Sequence, residues 1–144
     1  WSSDVCSSDL LPDLPEAETD LLYKLPYLLQ KDSVIFCLQN QGDMEAMNAR
    51  NIAFLAGTAA AYGLTKEQAL QSITLNSAKI LGIDKLVGSI ESGKLASIVV
   101  SEGDILDMRT NKIILAYING RQLNLNNFQN DLYKKYSNKL GIKE

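Results

Sequence analysis

Residues 64–100 read LTKEQALQSITLNSAKILGIDKLVGSIESGKLASIVV, and the change of pattern within them decides the fold. The first half is helical, because Thr65 and Gln68 have the spacing of a capping box, and a helix is predicted to begin at Lys66. That helix is predicted to continue to Gly82, which is its stop. Beyond it, short β runs alternate with turns that contain glycine. We therefore expect a helical part followed by an antiparallel β part.

A short strand between two helices is predicted upstream of this stretch. The leucines between Leu21 and Leu29 recur at spacings of three and four, which predicts a helix. Pro26 lies inside it and predicts a kink or a division into two short helices. Residues 34–38 form a continuous apolar run, VIFCL, which favours a strand buried on both faces. Residues 48–63 are rich in alanine and glycine and predict a helix that ends at the last glycine.

A hairpin and a terminal helix are predicted downstream. Residues 112–125 hold two β runs split by Asn119 and Gly120, a pair preferred in type I′ hairpin turns. The last helix is expected to stop at Gly141. Its apolar row consists of Phe128, Leu132, Tyr136 and Leu140, and its basic face, which we interpret as solvated, consists of Lys134, Lys135, Lys139 and Lys143.

The composition excludes several classes of protein. The net charge is −3, whereas a dedicated nucleic-acid surface would be basic and clustered. No apolar run approaches the 18 or more residues of a membrane span. The chain contains no histidine, so neither a histidine base nor a histidine metal ligand comes from these residues.

The first ten residues, WSSDVCSSDL, differ from a natural N-terminus. They lack the basic and apolar regions of a signal peptide, and back-translation gives one reading frame of a common sequencing adapter. A flexible polar tail would not explain Trp1 or Cys6. We therefore expect residues 1–10 to be an artefact outside the fold, and the natural chain to be cut upstream of Leu11. Cys37 is then the only genuine cysteine, so no disulfide framework forms.

Four blocks carry a resemblance to a known family. GLTKEQAL, TLNSAKILG, GSIESGKLASIVV and AYINGR follow one another at residues 63–70, 74–82, 88–100 and 116–121. In this order they resemble the C-terminal end of the amidohydrolase superfamily, in particular the imidazolonepropionase-like metal-dependent hydrolases. The resemblance covers about residues 26–123.

The resemblance implies an α/β fold in which the end of a (β/α)₈ barrel, a TIM barrel, is followed by part of a small β-sandwich. Residues 34–38 would be the eighth barrel strand. The domains would be 11–82 for the barrel end, 83–125 for the partial, composite β-sandwich and 126–144 for the terminal amphipathic helix. A barrel needs about 250 residues, so we expect most of it to lie upstream.

The resemblance also implies a divalent metal, with zinc expected, at the carboxyl end of the barrel strands. Such a metal lowers the pKa of a bound water so that hydroxide is available near neutral pH. The implied ligands are a His-x-His pair and later histidines, all upstream of this chain, and an aspartate at the end of the eighth strand. That aspartate would also take a proton from the attacking water.

The implied aspartate is not where the resemblance places it. Gln39 or Asn40 stands about there, and an amide cannot accept a proton. Asp43 follows three or four residues later and is the candidate catalytic base and metal ligand; the alternative is a loop residue before a helix. Glu45 has the same two interpretations. Arg50 is either a contact for a substrate carboxylate or a solvated helix charge.

Two further residues receive structural interpretations. Ser97 stands where the family usually has aspartate, and the change is expected to affect folding detail only. Lys94 is interpreted as a turn or surface lysine.

Two hypotheses for function follow. In the first, the full-length parent is a metal-dependent amidohydrolase that hydrolyses a C–N bond in a cyclic amide or peptide-like small molecule. In the second, it is a degenerate, non-catalytic relative that binds a ligand or pairs with an active amidohydrolase as a homo- or hetero-oligomer. Upstream histidines would favour the enzyme. The chain by itself is expected to bind no metal and to be inactive. Its compartment, cytoplasm or periplasm, is hidden because any signal peptide would lie upstream.

Peptide mapping tests the interpretation of the first ten residues. In the native protein of the source organism, we expect peptides that contain LPDLPEAETD but not WSSDVCSSDL. A single peptide that joins the two sequences would contradict the artefact.

Overall fold

The computed structural model describes residues 18–40 and 45–142, so the expected artefact at residues 1–10 lies outside the described residues. Helices dominate the first half of this part and a small sheet the second. The elements in chain order are α1 (Leu21–Lys31), a 3-10 helix (Glu45–Asn51), α2 (Ile52–Ala61), α3 (Lys66–Ile73), α4 (Leu75–Ile80), β1 (Ile98–Ser101), β2 (Ile113–Ile118), β3 (Arg121–Gln122) and α5 (Phe128–Leu140).

The capping box at the start of α3 is confirmed. The Gln68 N–H donates to Thr65 Oγ1 at 3.2 Å, and the Thr65 N–H donates to Gln68 Oε1 at 2.9 Å. The prediction of one helix up to Gly82 is wrong, because the backbone breaks at Thr74 (φ −128°, ψ −88°) and α4 begins at the next residue. Gly82 then has a φ of +70°, as expected for a helix stop.

Helix α1 is continuous through Pro26, so the predicted division into two helices does not occur. The first turn of α1 lies against the C-terminal end of α2, where the rings of Tyr23 and Tyr62 stack with centroids 5.0 Å apart. The predicted stop at Gly63 is confirmed by its φ of +125°, and a Cβ there would come within 2.8 Å of the Tyr27 ring. A glycine therefore satisfies both the turn and the packing.

Residues 34–38 do not form the predicted strand. Phe36 and Leu38 are 1% and 9% exposed whereas Ile35 is 54% exposed, so side chains alternate instead of being buried on both faces. A strand requires a hydrogen-bonded neighbour, and the strands in the described part of the chain pair only with one another. The segment packs one face on the core formed with α2 and α3.

The β part is a three-stranded antiparallel sheet in the order β1-β2-β3. Asn119 and Gly120 have φ values of +51° and +78°, and Ile118 pairs with Arg121 across them, which confirms the type I′ hairpin. Of the β runs predicted in residues 88–104, only Ile98–Ser101 forms a strand.

The connection from β1 to β2 joins the two parts. Leu106 is buried in the same core as Phe36 and Leu38. A Cβ on Gly57 of α2 would lie 2.1 Å from the Leu106 carbonyl oxygen, so this close approach requires glycine. The Lys66 ammonium pairs with the Asp104 carboxylate and ties the connection to the start of α3.

The predicted terminal helix is confirmed as α5, which begins after Asn127 and ends at Gly141 in the left-handed conformation. Its apolar row is largely exposed. Within residues 18–40 and 45–142, helices are too short or too polar to cross a membrane.

Replacing Gly57 by alanine tests the packing of α2 against the β1–β2 connection. Alanine gains about 1 kcal/mol of helix propensity, but the clash with a backbone carbonyl must displace the connection, at a cost of about 1–3 kcal/mol. We expect Gly57→Ala to lower the urea midpoint of the native protein. Ala61→Ser, at an exposed position of the same helix, is the control, and equal midpoints for both variants would contradict the packing.

Candidate active site

The break between α3 and α4 creates the acceptor that holds residues 34–40. Carbonyls in the last turn of a helix have no intrahelical partner. The Ser72 carbonyl accepts the Leu38 N–H at 3.2 Å and the Ser77 hydroxyl at 3.2 Å. In one continuous helix the same carbonyl would be bonded to Asn76 within the helix. The break that the sequence did not predict therefore anchors the segment.

A second anchor comes from the side chain of Asn76, which donates from Nδ2 to the Phe36 carbonyl at 3.2 Å. At the other end of the segment, the Val34 N–H donates to the Leu29 carbonyl at 2.9 Å. No role was predicted for Asn76; the available signal was its place in the block TLNSAKILG, which carries the family resemblance. Backbone bonds at both ends fix where the carboxyl end of the segment lies.

That carboxyl end carries Gln39 and Asn40. The Asn40 side chain donates from Nδ2 to the Asn48 carbonyl at 3.1 Å and joins the segment to the 3-10 helix. Asp43, predicted as catalytic base and metal ligand, lies outside the described residues, so its role stays a prediction. Arg50 is exposed at the last turn of the 3-10 helix.

The described residues do not form a metal site by themselves. No group of three or more His, Cys, Asp or Glu side chains comes together among them, and the chain has no histidine. Gln39 and Asn40 offer neutral amides, which neither accept a proton nor carry a charge. The chemistry available at Gln39 and Asn40 is hydrogen bonding.

Clear pKa shifts in the described part of the chain belong to ion pairs away from this segment. The Lys66 ammonium, with help from the Leu106 N–H, lowers the pKa of the Asp104 carboxyl. The hydroxyl of Ser89, followed by the Lys94 ammonium, lowers the pKa of Glu91. These charges stabilise turns and connections.

Lys94 and Ser97 have structural positions. The Lys94 side chain is 13% exposed, and its ammonium donates to the Ser89 hydroxyl at 2.5 Å and to Glu91 at 3.2 Å, so it is a turn lysine that is largely buried. The Ser97 hydroxyl accepts the Asn119 N–H at 3.3 Å and helps to hold the hairpin turn. A hydroxyl thus serves where the family usually has a carboxylate.

Solved structures share the fold of this chain. An amidohydrolase from Thermotoga maritima is 32% identical and has a TM-score of 0.63, over 79% of this chain and 30% of that chain. An adenosine deaminase from Xanthomonas campestris with bound Zn has a TM-score of 0.54 at 19% identity, over 82% of this chain and 34% of that chain. The second likeness shows the fold alone, and together they confirm the α/β class.

Sequence comparisons point to the same group. Imidazolonepropionase of Erwinia tasmaniensis is 34% identical over 85 residues, which are 59% of this chain and 19% of that protein. Adenine deaminase of Desulforamulus reducens is 30% identical over 81 residues, 56% of this chain and 14% of that protein. The chain spans about a fifth or less of these relatives. The model of the family described as Amidohydrolase family matches residues 23–132, which is more than half of the chain. This chain belongs to the amidohydrolase family.

Proposed function

We propose that the native protein containing this chain hydrolyses a C–N bond in a small molecule, a cyclic amide or a peptide-like compound. The observation that carries the proposal is the family match over residues 23–132, which includes both anchored ends of residues 34–40. The similarity to an imidazolonepropionase and to an adenine deaminase supports the same class of bond.

Asp43 is the residue that we propose as the base. It follows Asn40, whose side chain is fixed to the 3-10 helix, by three residues, so a short connection separates the carboxylate from the anchored segment. A carboxylate that accepts a proton from an attacking water can contribute about 10²–10⁴-fold to the rate. The amides of Gln39 and Asn40 can hydrogen-bond but cannot take that proton.

We propose a divalent metal as the cofactor of the native protein, and zinc is the metal that we expect. The described residues of this chain do not fit such a site alone, since they bring no three potential ligands together and the chain lacks histidine. Asp43 is the one prospective ligand that we assign here, and the other ligands would come from outside this sequence.

A second candidate function rests on the amides at the segment end. The Asn40 side chain is used to hold the Asn48 carbonyl, which is a structural use of a position where the related hydrolases are expected to have a carboxylate. A protein with this change and no other base would bind a small molecule, or pair with an active amidohydrolase, without catalysis. Activity of the native protein separates the two functions.

Replacing Asp43 by asparagine tests the base. In an active native protein, Asp43→Asn should lower kcat by about 10²-fold or more, because the amide cannot accept a proton, whereas metal content measured by elemental analysis should change little. The assay uses cyclic amides and dipeptides as substrates.

Glu67→Gln is the control, since it removes an exposed carboxylate of α3 that the proposal does not use and should leave kcat within about twofold of the wild type. Full activity of Asp43→Asn would place the base elsewhere. A wild-type native protein without metal and without hydrolysis would favour the non-catalytic function.

A further inference from the structure

Helix α5 has an apolar face that the described part of the chain leaves largely uncovered, with Leu132 half-buried. Phe128, Tyr136 and Leu140 are 71%, 51% and 68% exposed, and the neighbouring Tyr133 is 54% exposed. The buried residue of the helix is Ser137, and no other helix or strand in the described residues packs against α5. Apolar side chains gathered on one helix face favour association that removes them from water.

The family match covers this face only in part. The family match ends at residue 132, so Tyr133, Tyr136 and Leu140 lie beyond it. Phe128 and Leu132 lie within the match, and we infer the partner of the face from its own chemistry.

The charged residues beside the apolar row change sign along α5, from negative near its start to positive near its end. Asp131, Lys135 and Lys139 are spaced four residues apart and form one row along a single flank of α5. The flank runs from a carboxylate in the first turn to ammonium groups toward the end. Lys135 Nζ lies 6.0 Å from the centroid of the Tyr136 ring, which places this flank directly beside the apolar row. The opposite flank, with Gln129 and Tyr133, is neutral.

We propose that α5 pairs with α5 of a second copy of this chain, in antiparallel orientation. A two-fold axis brings the same flank of both helices together with reversed direction. If Phe128 is level with Leu140 of the second copy, the rise of the helix places Asp131 about 3 Å along the axis from Lys135 and from Lys139 of that copy. The apolar rows then meet, and each carboxylate faces two ammonium groups.

Parallel pairing lacks this complementarity. Two parallel helices bring opposite flanks together, so Lys135 and Lys139 would face the neutral flank with Gln129 and Tyr133. Asp131 also accepts a hydrogen bond from the Asn126 side chain at 2.6 Å; a carboxylate has room for further donors. The charge pattern therefore selects the antiparallel pair.

The pairing is expected to be weak. A 13-residue helix offers less area than the roughly 1,000 Å² of a stable interface, and small interfaces belong to transient complexes. We expect a dissociation constant on the order of micromolar. The proposal is independent of the catalytic function, since none of its residues is among those that we propose for catalysis.

Sedimentation of the native protein over a range of concentrations is the first test. The wild type should dimerise, and Tyr136→Asp should raise the dissociation constant at least tenfold. Asn130→Asp is the matched control, because it adds the same charge at an exposed position away from the apolar row and should change the constant by less than twofold. The proposal would be overturned if the wild type stays monomeric at protein concentrations up to about 100 micromolar. Equal dissociation constants for the two variants would also overturn it.

Cysteine cross-linking tests the orientation even if Tyr136→Asp unfolds the helix. In a Cys37→Ser background, a mixture of Phe128→Cys and Leu140→Cys proteins should form a disulfide between the two variants under mild oxidation. Phe128→Cys alone should not, because its two copies would lie about 18 Å apart. Cross-linking of Phe128→Cys alone, or none in the mixture, would contradict the antiparallel pair.

Discussion

The hydrogen bond from the Leu38 N–H to the Ser72 carbonyl holds the segment on which the candidate site depends. Ser72 is fully buried, and its carbonyl accepts from outside its helix only because α3 ends at Ile73. A buried backbone group that loses its partner costs about 1–3 kcal/mol, so the segment and the helix break stabilise each other. The hydrogen bond that the Asn76 side chain donates to the Phe36 carbonyl fixes the same segment two residues earlier.

Packing supports these bonds from both sides. Phe36 and Leu38 pack in a core that includes Leu106 of the β1–β2 connection. The backbone of Leu106 can approach α2 closely because Gly57 has no side chain. Helical and β parts thus share one set of buried side chains. The carboxyl end of the segment, where Asn40 meets the 3-10 helix, is therefore positioned by contacts that come from sequence positions far apart. Asp43 follows Asn40 by three residues in the sequence.

Local chemistry was predictable from the sequence, and long-range chemistry was not. The capping box at Thr65, the hairpin at Asn119 and the stop at Gly141 depend on neighbouring residues and were confirmed. The strand predicted at residues 34–38 does not form, because a strand needs a hydrogen-bonded neighbour and none of the described strands pairs with this segment. The break at Thr74 was missed because its acceptor is satisfied by Leu38, which lies 34 positions before Ser72. The site with Asp43 stays a prediction, because Asp43 lies outside the described residues, and the role of Asn76 appeared only in the structure.

Amide hydrogen exchange at Leu38 in the native protein measures this anchoring most directly. If the Ser72 carbonyl and the Asn76 side chain hold the segment, the Leu38 N–H is protected in the wild type, and Asn76→Ala, which removes one of the two anchors, speeds its exchange at least tenfold while amides within α2 stay protected. Rapid exchange of Leu38 in the wild type, or an unchanged rate in Asn76→Ala, would contradict the account.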